Sequence, residues 1–556
     1  MKAIQFFRKP TGILFAAIIV LATIVRFTSL SSLPVSLYWD EVSEGYNSYS
    51  ILHTGKDEYG TSFPLLFRGY DDDKMPVYIY LSIIPIALFG LGEFSVRFTS
   101  AFLGVGSVAI CFFLVRELFK KEKTRDIVAL FSSLLFSIVP WHVQFSRAGF
   151  EANVALFFVM LGSFFILKSR DKKWYLVAAS FSFVISIYTY RSSLIVIPLL
   201  FFVFLIILRK QIMKGSMQKV TLLSLLTFIL LSIPLIFIVA TKGDLRSSEV
   251  SIFVAENPKL QEFSIKQDQA GNSVFARIIY NRRLVYVEQA IDNYFLHFSP
   301  NFLFLRGDIN PRHSVGNVGQ LYFWQFPFII AGIVYLFKKN REVAMFLLGW
   351  ILLSPLPASF SFPAPHALRS LLMLPPLIIF TACGVYYIYT FFKSRMRLLF
   401  FVVMAFIILC SSLMYLKSYV IHNSITASSE WGDGYRQLIN NIRPQVDNYD
   451  KVIISGHFWQ PYMYTLFYTQ YDPKLFQKEG THVGFGKFIF GGTSWDQRLH
   501  RQELDNEDLA KLSGSKNVLV ALSPGEYASQ RSHINKTSEI KNHKGDVLFV
   551  VGNLHE

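Results

Sequence analysis

Three cysteines in 556 residues leave no material for a disulfide framework or a thiolate metal site. Cys111, Cys383 and Cys410 all lie inside apolar runs and read as small packing residues. Charge is scarce too. Charged residues make up 17% of the chain, against about 25% in soluble domains. The deficit is local: Thr11–Ile24, Leu194–Leu208 and Val220–Ala240 hold few or no charges. No internal repeat and no low-complexity tract is found. No glycine-rich loop follows a strand-like run near the C-terminus, so that region is not read as nucleotide-binding.

What is abundant is apolar length. A bilayer core of ~30 Å needs about 20 apolar residues per helix. Unsatisfied backbone groups in it cost on the order of several kcal/mol each, so such runs become helices. The net charge of +16 is carried by short clusters between these runs. They are Arg116 to Arg125, Lys168 to Lys173, Arg209 to Lys214, Lys338 to Arg341 and Lys393 to Arg397. A nucleic-acid surface would gather its cations on one folded face. Separated clusters instead follow the positive-inside rule and face the cytoplasm.

Threading helices between the clusters predicts a polytopic α-helical membrane protein with about eleven transmembrane helices. They cover about 11–30, 97–115, 127–140, 152–167, 174–189, 192–208, 220–240, 321–337, 343–358, 369–392 and 398–416. Lys2, Arg8 and Lys9 precede the first, which lacks a small-residue cleavage site and reads as a retained helix with a cytoplasmic N-terminus. Two long segments, 31–95 and 241–320, then lie outside. Within the first, Val77–Leu91 is short and broken by Pro85, so it reads as an interfacial helix. Residues 1–416 form the membrane domain. Residues 417–556 read as a small extracytoplasmic α/β domain. Its strand-like runs are Val452–Ser455, Lys487–Phe490, Val518–Leu522 and Val547–Val551, and Gln460–Gln470 and Glu503–Leu512 are helical between them.

Several outside patches carry chemistry. Asp40-Glu41 follows the first helix beside Tyr38-Trp39. Burial and like-charge proximity suit such a pair to general-base work, and a solvated acidic turn is the alternative. Lys74, after Asp71-Asp72-Asp73, could reach a lipid phosphate or simply anchor at the interface. Arg147 and Glu151 sit in a short turn, as a phosphate clamp or a structural ion pair. The segment 241–320 offers Arg246-Ser247-Ser248, Arg306, Asp308, Arg312 and His313, a set suited to an anionic or sugar-bearing ligand, with His313 readable as a metal ligand, a phosphate partner or a simple hydrogen-bonding residue. His366 and Arg369 precede or open the tenth helix, where an arginine and free N–H groups would suit a phosphate. On this threading all candidates face the same side. Soluble nucleotides are scarce there, which favours a lipid-phosphate substrate.

At these residues the chain resembles the GT-C superfamily of polyprenyl-phosphate-sugar-dependent glycosyltransferases. Within it, the chain is similar to protein O-mannosyltransferases and the aminoarabinose transferases of lipid A. Asp40-Glu41 matches an Asp-Glu pair in the first outside loop. Lys74-Met75-Pro76-Val77-Tyr78 matches a Lys/His-Pro-aromatic run, with one proline where the family has two. Arg97-Phe98-Thr99-Ser100 matches an Arg-x-x-Ser helix opening, and Ser146-Arg147 with Glu151 matches a Ser-Arg turn that often carries aspartate.

The resemblance covers about 1–416 and is strongest over 35–200. It implies a GT-C fold with eleven membrane helices and interfacial helices in the first loop. It also implies inverting single-displacement transfer of a sugar from a polyprenyl-phosphate donor. Asp40 and Glu41 would be catalytic. Lys74, Arg147, Arg369, His313 and Arg312 would bind the donor phosphate, and Glu151 and His366 would orient groups or hold the acceptor. The implied partners are the lipid-linked sugar, an acceptor protein, lipid or glycan, and membrane lipids, with no nucleic acid. No cofactor and no metal site are assigned, a divalent cation being left open. The implied location is the plasma membrane. The rivals are a lipid or glycan flippase, which would show repeated halves and buried ionisable residues, and a ligase or polymerase of lipid-linked glycans.

Overall fold

The computed structural model describes residues 9–69, 73–212, 215–242, 250–254, 257–271, 273–458, 460–491 and 517–554. Asp71, Asp72, Arg246-Ser247-Ser248, the helix expected over Glu503–Leu512 and the basic residues Lys2, Arg8 and Lys214 lie outside them. Contacts divide the described chain into two compact units. One takes in 9–28, 100–146 and 150–418; the other takes in 29–99, 147–149 and 419–554.

The first unit is helical. A helix lies on each of the eleven predicted segments, from Pro10–Phe27 to Ser394–Lys417. Among the described residues, seven helices are long and apolar enough to cross a membrane. The count rises to eight if Arg125–Ile138 and Pro140–Ser146, bent by 57° at their junction, form one span. Tyr175–Ile187 has 13 residues, about 20 Å at 1.5 Å per residue, and falls short of the core thickness. Several helices turn apolar faces outward. Only 17% of the apolar stretch in Met217–Thr241, and 11% of that in Ser394–Thr426, is buried in protein. Water does not tolerate such a surface and lipid does. The chain is a multi-pass membrane protein.

Tight packing is written in small residues. A Cβ on Gly332 would lie 1.9 Å from the Phe380 carbonyl oxygen, and one on Gly384 would lie 1.8 Å from that of Phe328. Helices Gln325–Lys339 and Leu374–Phe391 therefore meet backbone to backbone, as small residues permit between membrane helices. The buried guanidinium of Arg26 is held by carbonyl oxygens of Ala22, Phe136 and Ser137 and by His142 Nδ1 at 2.6 Å. Cys111, Cys383 and Cys410 are free thiols.

The second unit mixes a six-stranded sheet with short helices. The strand order is Gly484–Phe485, Phe488–Phe490, Lys451–Ile454, Val518–Leu522, Val547–Leu554 and Ile534–Lys541. The second to fourth in that order run parallel, and the flanking pairs are antiparallel. Helix Pro461–Thr469 matches the predicted Gln460–Gln470.

Sequence order suggested a break at 416/417. Packing groups residues 29–99 with the sheet instead, for a physical reason. Helix Trp39–Thr54 and its neighbours carry Leu37, Val42, Tyr46, Ile86, Leu91 and Val96. These share one core with Leu438, Ile439, Val452, Tyr464 and Phe467. Within the same unit, Tyr464 Oη donates to the Leu37 carbonyl at 3.1 Å.

Candidate active site

Asp40 and Glu41 occupy the first turn of helix Trp39–Thr54. Carboxylates are favoured there because the N–H groups of a helix start have no partners within the helix. Adjacent residues point in different directions, and the two acids meet different fates. Glu41 is fully buried and accepts four hydrogen bonds. They come from Arg97 Nε at 2.9 Å, Arg97 Nη2 at 3.2 Å, Gly149 N at 2.7 Å and Tyr38 N at 3.2 Å. That fills the capacity of a carboxylate.

Arg97 is equally buried. It donates further to the carbonyls of Leu30 at 3.1 Å, Pro34 at 2.8 Å and Ser36, and it lies over the Trp431 ring. One ion pair thus ties helix Glu93–Leu118, the 30–36 segment, the 147–149 turn and helix Trp39–Thr54 together. Gly149 is required for close approach. A Cβ there would stand 3.0 Å from Glu41 Cγ and 3.1 Å from Tyr78 Oη.

Asp40 keeps an open edge, its side chain 18% exposed, and pairs with the buried Lys74 ammonium. Lys74 is carried by a two-stranded ribbon, Phe67–Arg68 against Asp73–Lys74. Arg147 is buried in the same unit. Its Nε donates to Tyr419 Oη at 3.2 Å, its Nη2 donates to the Leu33 carbonyl at 3.2 Å, and its guanidinium lies over the Tyr419 ring. The chemical content is one carboxylate with access beside an ammonium, on a base made rigid by Glu41 and Arg97. Both Glu41 oxygens are engaged by Arg97 and by backbone N–H groups, whereas Asp40 keeps its exposed edge.

The remaining candidates belong to the first unit. Asp308 opens a turn in which its Oδ1 accepts from Asn310 N at 2.9 Å. Its Oδ2 receives Ala367 N at 2.6 Å and lies 3.0 Å from His313 Nδ1. Burial pushes the Asp308 carboxyl up, and His313 with those N–H groups outweighs it, so the net direction is down. The His313 and His366 rings are 4.8 Å apart. His366 N donates to His297 Nε2 at 3.1 Å, and burial holds the His297 imidazole down to about 4. Arg312 shares the turn, its carbonyl accepting from Gln144 Nε2 at 2.8 Å. Glu151 is half-buried in the first turn of Glu151–Lys168.

Arg369 corrects an expectation. It does not lie in the first turn of the tenth helix, which starts at Leu374 behind a short turn at Leu371–Met373. Pro363 and Pro365 keep the chain before it out of the helix. The Arg369 Nη1 is bound instead to Ser361 Oγ at 2.6 Å and the Phe362 carbonyl at 3.1 Å.

Residues 73–237 match the family described as dolichyl-phosphate-mannose-protein mannosyltransferase. Over 167 residues the chain is 28% identical to YkcB of Bacillus subtilis, a mannosyltransferase by name. The match takes in 30% of this chain and 23% of YkcB, about a quarter of that relative's length. ArnT from Cupriavidus metallidurans, bound to undecaprenyl phosphate, superposes with a TM-score of 0.58 at 14% identity over 98% of both chains. The Archaeoglobus fulgidus oligosaccharyltransferase AglB, in complex with an inhibitory peptide and a dolichol-phosphate, gives 0.53 at 12% identity, over 98% of this chain and 74% of that one. ArnT and AglB are glycosyltransferases, and this chain shares their GT-C fold.

Proposed function

We propose that this membrane protein of GT-C fold is a glycosyltransferase that moves a sugar from a polyprenyl-phosphate donor to an acceptor on the extracytoplasmic side. The observation that carries the reading is the division of labour at the start of helix Trp39–Thr54. Glu41 is fully engaged by Arg97 and Gly149, while Asp40 keeps an accessible edge beside Lys74. The relatives' lipid phosphates, undecaprenyl phosphate in ArnT and dolichol-phosphate in AglB, support the donor class.

The reaction is a single displacement. The acceptor hydroxyl gives its proton to Asp40 as its oxygen bonds to the anomeric carbon. The bond from that carbon to the phosphate oxygen breaks on the opposite face, and its electron pair leaves on the lipid phosphate. The anomeric configuration inverts. Lys74 and Arg147 stabilise the charge that grows on the phosphate. Arg312 and Arg369 serve donor recognition and Glu151 serves the acceptor, as the family resemblance implies. The N-terminus is cytoplasmic, helix Pro76–Phe89 lies at the interface, and the C-terminal domain is extracytoplasmic, in the plasma membrane.

The test is incubation of the purified protein with a panel of polyprenyl-phosphate sugars and envelope acceptors, with detection of released polyprenyl phosphate. Release from one donor class, with inverted product, is expected. No release from any member would contradict the reading.

A further inference from the structure

Asp308, His313 and His366 each offer one ligand atom, and these atoms all lie within 4.8 Å of one another. All three side chains are buried, at 4%, 4% and 8% exposure. No motif spacing announces the group, because His366 comes from a turn far along the chain from Asp308 and His313.

The backbone holds the donors in place. His313 N donates to the Asn310 carbonyl at 2.9 Å, and Ser314 Oγ donates to the Asp308 carbonyl at 2.8 Å. Ala367 N is bound to Asp308 Oδ2, which fixes the His366 turn against the Asp308 turn. Ser370 Oγ donates to the His366 carbonyl at 2.8 Å. The neighbouring His297 is not a donor. Its Nε2 accepts from His366 N, and its Nδ1 lies 2.7 Å from the Asn293 carbonyl, so both ring nitrogens are spent.

We infer that Asp308, His313 and His366 form a binding site for a divalent first-row transition metal of the zinc class. Two imidazoles with one carboxylate are the ligand chemistry such ions take in protein sites. Metal–ligand bonds of about 2.0–2.1 Å in a tetrahedral arrangement separate ligand atoms by about 3.3 Å. Asp308 Oδ2 and His313 Nδ1 are already 3.0 Å apart, and the His366 ligand atom lies within 4.8 Å of both, so rotation of its ring closes the site. The ion takes the place of the contact between these two atoms, since ligands bind deprotonated. Three protein ligands leave a fourth position for water or an anionic oxygen. His313 and His366 then act through the ion, not as direct phosphate or acceptor contacts.

The test needs no transferase activity, so its outcome is independent of the donor reading. Untagged full-length protein in detergent is stripped with a chelator, dialysed against Zn²⁺ or Co²⁺, and its metal content is measured by mass spectrometry. Wild type is expected to retain one equivalent, His482→Ala to retain the same, and the His313→Ala/His366→Ala double variant to lose it. The Co²⁺ form of the wild type should show visible ligand-field bands without thiolate charge transfer, a readout that survives misfolding of the double variant. A wild type that stays empty with both ions, or a double variant that folds and keeps its metal, would overturn the assignment.

Discussion

Around the start of helix Trp39–Thr54, two carboxylates meet an arginine and a lysine; in the turns at 308–313 and 366–369, one carboxylate meets two imidazoles. Both arrangements bury charge, and they balance it differently. Arg97 cannot lose its proton under any ordinary condition. Its partner Glu41 is held by two of its N–H groups in a fully buried pair, which makes that pair a permanent fixture of the fold. Imidazoles can release and accept protons and can ligate metals, so the second cluster is built for exchange. Permanence at Glu41 is what leaves Asp40 available, because the carboxylate beside it already holds the backbone in position.

Glu41→Gln keeps the shape and removes the charge, stranding Arg97 in a buried site. A loss of about 3–5 kcal/mol is expected, read as lower yield and a lower melting temperature in detergent; an unchanged melting curve would end the fixture argument. Asp308→Asn should cost less, about 1–3 kcal/mol. Its partners are His313 and two backbone N–H groups, and none is a permanent cation. A cost equal to that of Glu41→Gln would erase the contrast. Gly149→Ala pushes a methyl against Glu41 Cγ and Tyr78 Oη. The expected overpacking cost is about 1–3 kcal/mol, again read from melting.

Another buried carboxylate makes stability depend on pH. Glu58 is buried in the second unit, and burial pushes its carboxyl up from 4.5 to about 8. Between those values the folded chain holds a proton that the unfolded chain has released. Stability therefore falls as pH rises through that window and levels off above it. Glu58→Gln should leave the melting temperature unchanged near pH 4.5 and raise it progressively toward pH 8. A benefit at low pH alone would reverse the sign.

The membrane helices were legible because lipid demands long apolar runs with cations at the ends, and Thr11–Ile24 or Val220–Ala240 cannot be read otherwise. Helix Trp39–Thr54 was not legible. Its sequence is polar and aromatic, and it folds as a helix because Val42 and Tyr46 find a core in the 435–467 segment. Strand Ile534–Lys541 was missed for a related reason. It is an edge strand with only Ile534 and Ile540 buried, too sparse a pattern to stand out. Asp40 and Glu41 were visible as a pair, while the difference between them depends on Arg97 and Gly149, which are distant in sequence. The prolines near Arg369 were in plain view, and they mark the turn that keeps it out of the helix.

The most direct measurement is turnover of Asp40→Asn beside wild type, with released polyprenyl phosphate as the readout and melting in detergent as the control for folding. A fall of about 10²–10⁴-fold is predicted in a variant that still melts cooperatively, at a temperature lowered by the loss of the Lys74 partner. Turnover equal to wild type would contradict the assignment of Asp40 as the base.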